Sequence, residues 1–253
     1  KLDEGYRNAR LEAEKALQLD PNLAEAKAAL GWIRSHYDWD WAGADASYQR
    51  ALELDPGNAN VVRHASSLAA TLGRFNDAVT LDQRAADLDP LGATVHYYSG
   101  IHLYYAGKLE EAEAAFQKAL EINPEYPAAR TMLSVVYLLK SQPELALEQL
   151  EKEPEPFWRL YGQALAYYAA GKGSQADTTL AELIEKYRDV GAIQIAEVNA
   201  YRGKIDSAFE WLERAYAQRD GGLSEIKGDP LLKNLETDPR WAAFLKKMRL
   251  PLD

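Results

Sequence analysis

Apolar and polar residues alternate along this chain with the period of an α-helix. In residues 109–122, LEEAEAAFQKALEI, small and large apolar residues recur every three or four positions, and glutamates and a lysine take the opposite face. Such spacing predicts an amphipathic helix that buries one face. The helix is expected to end at Asn123 and Pro124, because proline lacks the N–H that the next turn needs. The same pattern runs through most of the chain and predicts an all-α protein.

The predicted helix ends recur at a fixed distance. Four similar segments each end in a proline: KALQLDP, RALELDP, RAADLDP and KALEINP. These prolines are 35, 34 and 34 residues apart, at Pro21, Pro56, Pro90 and Pro124. Alanine stands twelve and five residues before each of them, at Ala9, Ala44, Ala78 and Ala112, and at Ala16, Ala51, Ala85 and Ala119. Small residues at fixed places let neighbouring helices approach closely. A period of this length indicates a protein built from stacked repeats.

This arrangement resembles the tetratricopeptide repeat family, whose unit of about 34 residues carries small and aromatic residues at set places. The unit ending at Pro124 has the family's residues at Gly100, Gly107, Ala112, Phe116 and Ala119. The unit ending at Pro90 departs from the pattern at Ser66, where glycine is common, and at Asp82, where an aromatic residue is expected. The resemblance implies an all-α, right-handed superhelical solenoid of antiparallel helix pairs.

The repeats divide the chain into five predicted parts. Residues 1–23 resemble a half repeat with only the second helix, so we expect the sequence to begin inside a longer protein. Residues 24–150 form regular units, 151–156 (EKEPEP) a break, and 157–220 degenerate units, which gives about six full repeats. Residues 221–253 leave the period and predict a loop followed by a capping helix from residue 239. That helix would cover the apolar face of the last repeat.

The stretch YDWDW, residues 37–41, has two interpretations. Asp40 is placed to cap the following helix, with both tryptophans packing on adjacent helices. Alternatively, the indoles stack on a carbohydrate, or Asp38 and Asp40 bind a metal ion; we favour the cap. This stretch and the ending DPRWAAFLKKMRLP also resemble repeat modules attached to bacterial regulators, including winged-helix transcriptional regulators and adenylate cyclases. The resemblance implies a regulatory part of a larger bacterial protein.

Charge and composition exclude several functions. The chain has 29 basic and 39 acidic residues, a net charge of −10, and no basic stripe, which argues against direct binding of nucleic acid. No apolar run is long enough for membrane insertion. The lack of cysteine excludes disulfides and thiol chemistry. This composition fits the cytoplasm, which we favour, and also the periplasm if an anchor lies outside this chain. No catalytic motif, metal-binding pair or cofactor loop is present, so we expect no enzyme and no cofactor.

The predicted fold offers a concave groove lined by the first helix of each unit. Carrying the family's inward positions onto this sequence selects Trp32, His36, Arg63, Tyr97, Ile101, Tyr104, Tyr105, Trp158, Tyr161 and Tyr168. This wall is aromatic and nearly uncharged, as protein interfaces often are. The family's clamp for heat-shock chaperone tails needs Lys, Asn and Arg at these places, and only Arg63 is present.

Two functions are compatible with such a groove. The first is a non-catalytic scaffold that binds a peptide or protein partner. The second is a sensor for a small ligand, such as a sugar or a peptidoglycan fragment. The exposed half repeat also leaves room for a homo-oligomer contact.

Overall fold

The computed structural model describes residues 2–252, and side chains from residue 4 onward. This part of the chain is built from helices and contains no strand. The α-helices are α1 (Leu2–Leu19), α2 (Ala24–Ile33), α3 (Trp41–Leu54), α4 (Ala59–Thr71), α5 (Phe75–Leu88), α6 (Ala93–Tyr105), α7 (Leu109–Ile122), α8 (Ala129–Leu139), α9 (Pro143–Glu151), α10 (Pro156–Ala169), α11 (Gly173–Tyr187), α12 (Ala192–Tyr201), α13 (Ile205–Gln218) and α14 (Pro239–Lys247). A π-helical turn, Arg34–Asp38, follows α2, and two 3₁₀-helices, Gly221–Gly228 and Pro230–Leu235, precede α14.

Helices α2 to α13 form six pairs, and in all but the first pair a tight turn joins the two helices. Four of these turns place a glycine at positive φ; they are Gly73, Gly107, Gly171 and Gly203. After Gly73, the amide of Arg74 donates to the carbonyl of Ala69 at 2.8 Å and closes the end of α4. This is the usual way in which a left-handed residue satisfies the last carbonyls of a helix. The all-α repeat solenoid predicted from the sequence is confirmed.

Small residues hold the two helices of a unit together. A Cβ atom built on Gly100 would lie 2.7 Å from Cε1 of Phe116, and one on Gly31 would lie 2.9 Å from Cε1 of Tyr48. A larger residue would therefore push the ring away. The periodic alanines from Ala44 onward have no exposed surface. The close packing explains why the sequence keeps these positions small.

The unit that departs from the pattern replaces this apolar contact with a polar one. Ser66 Oγ lies 2.5 Å from Asp82 Oδ1 and 3.0 Å from His102 Nδ1, and His102 Nδ1 lies 2.9 Å from Asp82 Oδ2. Because a carboxylate only accepts, Nδ1 carries the proton. The three side chains are at most 2% exposed. Burial is tolerated because each polar group has partners.

The C-terminal residues return to the inner wall of the solenoid. Residues Gly221–Leu235, here called the groove segment, lie against the first helices α4, α6 and α12 in place of the expected loop. The segment buries five apolar side chains to 2% exposure or less, which are Leu223, Ile226, Leu231, Leu232 and Leu235. The segment is therefore part of the core.

The last helix joins the two ends of the repeat array. On α14, Phe244 packs against Tyr216 of α13 with ring centroids 6.3 Å apart, as expected for a capping helix. Beyond α14, the carbonyl of Met248 accepts a 2.9 Å hydrogen bond from Trp41 Nε1. Trp39 packs on Tyr216 at 4.9 Å. The YDWDW stretch thus connects the first unit to the last.

Candidate functional site

The ten residues predicted to face the groove fall into three places. Six of them, together with the groove segment, line a small cavity of about 60 Å³; these are Tyr97, Ile101, Tyr104, Tyr105, Trp158 and Tyr161. Trp32, His36 and Arg63 line an open pocket of about 280 Å³ at the other end of the wall. Tyr168 stands apart, 40% exposed, beside Tyr201 and Arg202. The wall is therefore divided by the groove segment.

Tyrosine hydroxyls fasten the groove segment to the wall. Tyr104 Oη donates to Asp229 Oδ1 at 2.6 Å, and Tyr105 Oη donates to Glu225 Oε2 at 2.9 Å. Gly228 lies so close to Phe75 and Tyr105 that a Cβ would come within 2.5 Å and 2.8 Å of them. Glycine at this position lets the backbone reach the wall.

Three carboxyl groups meet at this small cavity, and their pKa values are raised. Burial raises the pKa of Glu197 well above its ordinary value, and the neighbouring Asp229 raises it further. Burial also raises the pKa of Asp229 and of Glu225, although a hydrogen bond from Tyr104 or Tyr105 opposes the shift in each. His102 opposes the shift at Glu225 as well. The groove segment is therefore held most firmly when these carboxyls keep protons.

The open pocket is bordered by a stack of aromatic rings. Ring centroids of Tyr6 and Trp32 are 5.3 Å apart, those of Trp32 and His36 are 4.8 Å apart, and those of Tyr6 and Tyr37 are 4.5 Å apart. Trp32 remains 37% exposed, so one edge of the stack faces solvent. A partly exposed aromatic edge suits contact with a partner.

Arg63 brings a permanent positive charge to this pocket. Its guanidinium lies 4.8 Å from the centroid of the Tyr98 ring, and Nη2 lies 3.0 Å from His64 Nε2. Arginine can only donate, so Nε2 accepts and His64 is neutral. Burial, followed by the charge of Arg63, lowers the pKa of His64 to about 3. Arg63 forms no ion pair with a carboxylate of the described chain, and its buried Nε has no hydrogen-bond partner there.

A second pocket of about 510 Å³ adjoins the first. It lies between α2 and α4, and its lining includes Ala28, Ala29, Ile33 and Val61. Trp32 and His64 line both pockets. We call the two together the open groove, which has an apolar part beside Trp32 and a polar part beside Arg63.

The remaining candidate chemistry is structural. Asp40 accepts a 3.0 Å hydrogen bond from the amide of Gly43 and caps α3, and Asp38 pairs with Arg10 at 2.6 Å. In the network of Ser66, Asp82 and His102, the hydroxyl and the carboxylate meet the same ring nitrogen. A nucleophilic triad needs them on opposite nitrogens.

The described residues offer neither a metal site nor a membrane span. Among residues 2–252, no three histidine or acidic side chains are placed to hold a metal ion. Within that range, every helix is too short or too polar to span a bilayer.

The sequence did not reveal two parts of this surface. His64, Tyr98 and Tyr126 line the open pocket but fall outside the family's inward positions. The groove segment was missed because its short helices lack the repeat period. Its five apolar residues in thirteen positions, from Leu223 to Leu235, were the available signal, since an exposed loop rarely carries so many.

Comparisons with known proteins agree on the fold. Family models described as tetratricopeptide repeat match residues 40–93, 93–126 and 115–148. No curated protein matches the sequence significantly. Similar solved structures include PilF of Pseudomonas aeruginosa, with 21% identity and a TM-score of 0.61 over 79% of this chain and 91% of that chain.

Two further structures are similar over most of their length. PilW, a type IV pilus biogenesis factor, has 22% identity and a TM-score of 0.64 over 73% of this chain and 87% of that one. A tetratricopeptide repeat protein from Parabacteroides merdae has 18% identity and a TM-score of 0.66 over 92% and 93%. At such identities the likeness concerns the fold alone. Residues 40–148 thus match the tetratricopeptide repeat in sequence, and helix pairs of the same kind continue on both sides of them in the structure.

Proposed function

We propose that the chain is a non-catalytic scaffold that binds a peptide segment of a protein partner in the open groove. The observation that carries this proposal is that the inner wall already holds a peptide of its own, the groove segment, against Tyr104 and Tyr105. The open groove continues the same wall and presents exposed aromatic surface at Trp32. The resemblance to modules of bacterial regulators suggests that the scaffold serves as the regulatory or sensory part of a larger bacterial protein.

The half of the wall under the groove segment is a poor place for a partner. Burial of five large apolar side chains stabilises the bound segment by roughly 8–15 kcal/mol. A peptide that binds with micromolar affinity gains only about 8 kcal/mol. We therefore assign the six residues that line the cavity beneath the segment to holding it; these are Tyr97, Ile101, Tyr104, Tyr105, Trp158 and Tyr161. Trp32, His36 and Arg63 keep the partner-binding role, and Tyr168 lies outside the open groove.

A selection from a random peptide library tests the proposal. Peptides selected on the full chain are expected to lose about thirtyfold in affinity for Trp32→Ala, as at other interface hot spots. Tyr168→Ala is the matched control, because Tyr168 is equally exposed but lies outside the open groove. Circular dichroism and thermal melting would show that both variants stay folded. Equal binding by Trp32→Ala and the parent chain would refute the proposal.

A small-ligand sensor is the second candidate, and the stack of Tyr6, Trp32 and His36 favours it, because its exposed edge offers aromatic surface to a small ligand. A thermal-shift screen with monosaccharides and peptidoglycan fragments separates the two functions. A shift that disappears in Trp32→Ala, without any selected peptide, would favour the sensor.

A further inference from the structure

We infer that the open groove selects a segment in which an aspartate or glutamate side chain meets Arg63 and a neighbouring apolar side chain meets Trp32. This inference rests on the proposed function and names the chemistry of its partner. It begins with the lack of a carboxylate partner at Arg63. Four observations lead to it.

First, the arginine is half-buried and lacks an acidic partner in a chain that is rich in acids. The chain has 39 acidic residues against 29 basic ones, yet none in the described part pairs with Arg63. The acid that lines the same pocket is Glu225, and its carboxyl accepts the hydrogen bond from Tyr105. A partly buried guanidinium without a counter-charge attracts an anion, so an anion from outside would be favoured there.

Second, the surroundings of Arg63 suit an anion. His36 and His64 both have lowered pKa values, mainly because of burial, and so add no competing cation. The lining also carries the hydroxyl groups of Thr94, Tyr98 and Tyr126, which could donate to a carboxylate. The hydroxyls of Ser35, Ser67 and Thr71 in the same lining already donate to backbone carbonyls. Arginine with flanking donors is the arrangement that binds carboxylates most strongly in proteins.

Third, the groove segment shows how this wall receives acidic residues. Asp229 and Glu225 lie inside the segment, and the chain continues on both sides of each. Their side-chain carboxyls, rather than a chain terminus, meet the wall. A partner that follows the same mode presents an internal aspartate or glutamate to Arg63.

Fourth, the apolar part of the open groove adjoins the charge. Ala28, Ala29, Ile33 and Val61 line it beside Trp32, which also lines the pocket of Arg63. An acidic side chain next to an apolar one would therefore fill both parts at once. Contacts with the apolar part supply the buried apolar area, and Arg63 supplies the selectivity for an acidic side chain.

The test uses the full chain and the same peptide library. Selected peptides are expected to share an aspartate or glutamate beside an apolar residue. Synthetic copies with acetylated and amidated ends carry no terminal charge, so the side chain is their only carboxylate at that position. Replacing the acid with its amide is expected to lower affinity about tenfold to a hundredfold. NMR signals of the His36 and His64 rings report binding at this place.

Variants of Arg63 separate charge from shape. Arg63→Gln is expected to bind the acidic peptide and its amide copy equally, and Arg63→Lys to recover part of the preference. Arg50→Gln makes the same change of charge on α3, where Arg50 pairs with Glu53 in solvent, and should leave the preference intact. The inference is overturned if acid and amide copies bind alike to the parent chain, which would leave the proposed function standing. If no peptide binds the parent chain more tightly than it binds Trp32→Ala, the proposed function is refuted as well.

Discussion

Replacing Leu223 or Leu231 with alanine measures how firmly the groove segment belongs to the core. Leu223 has no exposed surface and packs with residues of the first and last units. Leu231 is 2% exposed and belongs to a cluster formed mainly by the middle units, including Tyr161, together with Val198 of the last unit. The two leucines therefore report on two different hydrophobic clusters.

The expected cost follows from the atoms removed. Each substitution deletes three carbon groups, worth about 2.4 kcal/mol of transfer free energy, and leaves a cavity. The total should be about 2–5 kcal/mol for each variant, as for other buried leucines. Because the two leucines pack in different clusters, their costs should add. The double variant would lose about 4–10 kcal/mol, which is most of the stability of an ordinary domain.

Equilibrium unfolding in urea, followed by circular dichroism, gives these free energies. Leu91→Ala is the control, since Leu91 is 77% exposed and should change stability by no more than about 0.5 kcal/mol. A cost below about 1 kcal/mol for both buried leucines would show that the segment is a loosely held flap. In that case the inner wall under it would be open to partners.

Three further outcomes can be checked by unfolding experiments. Asp229 has a pKa raised by burial, so its contribution is complete below the pKa of the unfolded chain, about 4, and is lost as pH rises through the folded value. The free energy of unfolding should therefore fall with rising pH, and it should fall less steeply in Asp229→Asn than in the parent chain. Equal slopes for the two chains would contradict the raised pKa of Asp229. Gly100→Ala should cost about 1–3 kcal/mol by overpacking, whereas Gly5→Ala, with open space around it, should cost nothing. Trp41→Phe leaves a buried carbonyl without its donor, and an unchanged melting temperature would contradict the expected loss of about 1–3 kcal/mol.

The repeat architecture could be predicted because its signals are local and periodic. Ala44, Ala78 and Ala112 lie at one position of successive units, and all three have no exposed surface. Prolines and glycines marked the helix ends for equally local reasons. Asp40 was predicted as a cap, and it accepts the amide hydrogen of the first turn. Such features depend only on residues a few positions away.

The divided wall could not be predicted because it depends on contacts between distant parts of the sequence. Tyr104 and Asp229 are 125 residues apart, and no period relates them. Ser66 and Asp82 looked like two independent departures from the family pattern. In the structure they compensate for each other, and His102 from the next unit completes the pair. Compensation of this kind is visible only when the side chains are brought together.

The contact between its two ends distinguishes this repeat array from an open solenoid. In an open solenoid each unit touches only its neighbours, so units can unfold separately from either end. Here the first unit meets residues beyond α14, through Trp41 and Met248, which are 207 positions apart. The groove segment adds contacts to α4, α6 and α12 along the way. Loss of a unit that contains α4, α6 or α12 would therefore expose surface on the segment as well, which couples these units to one another.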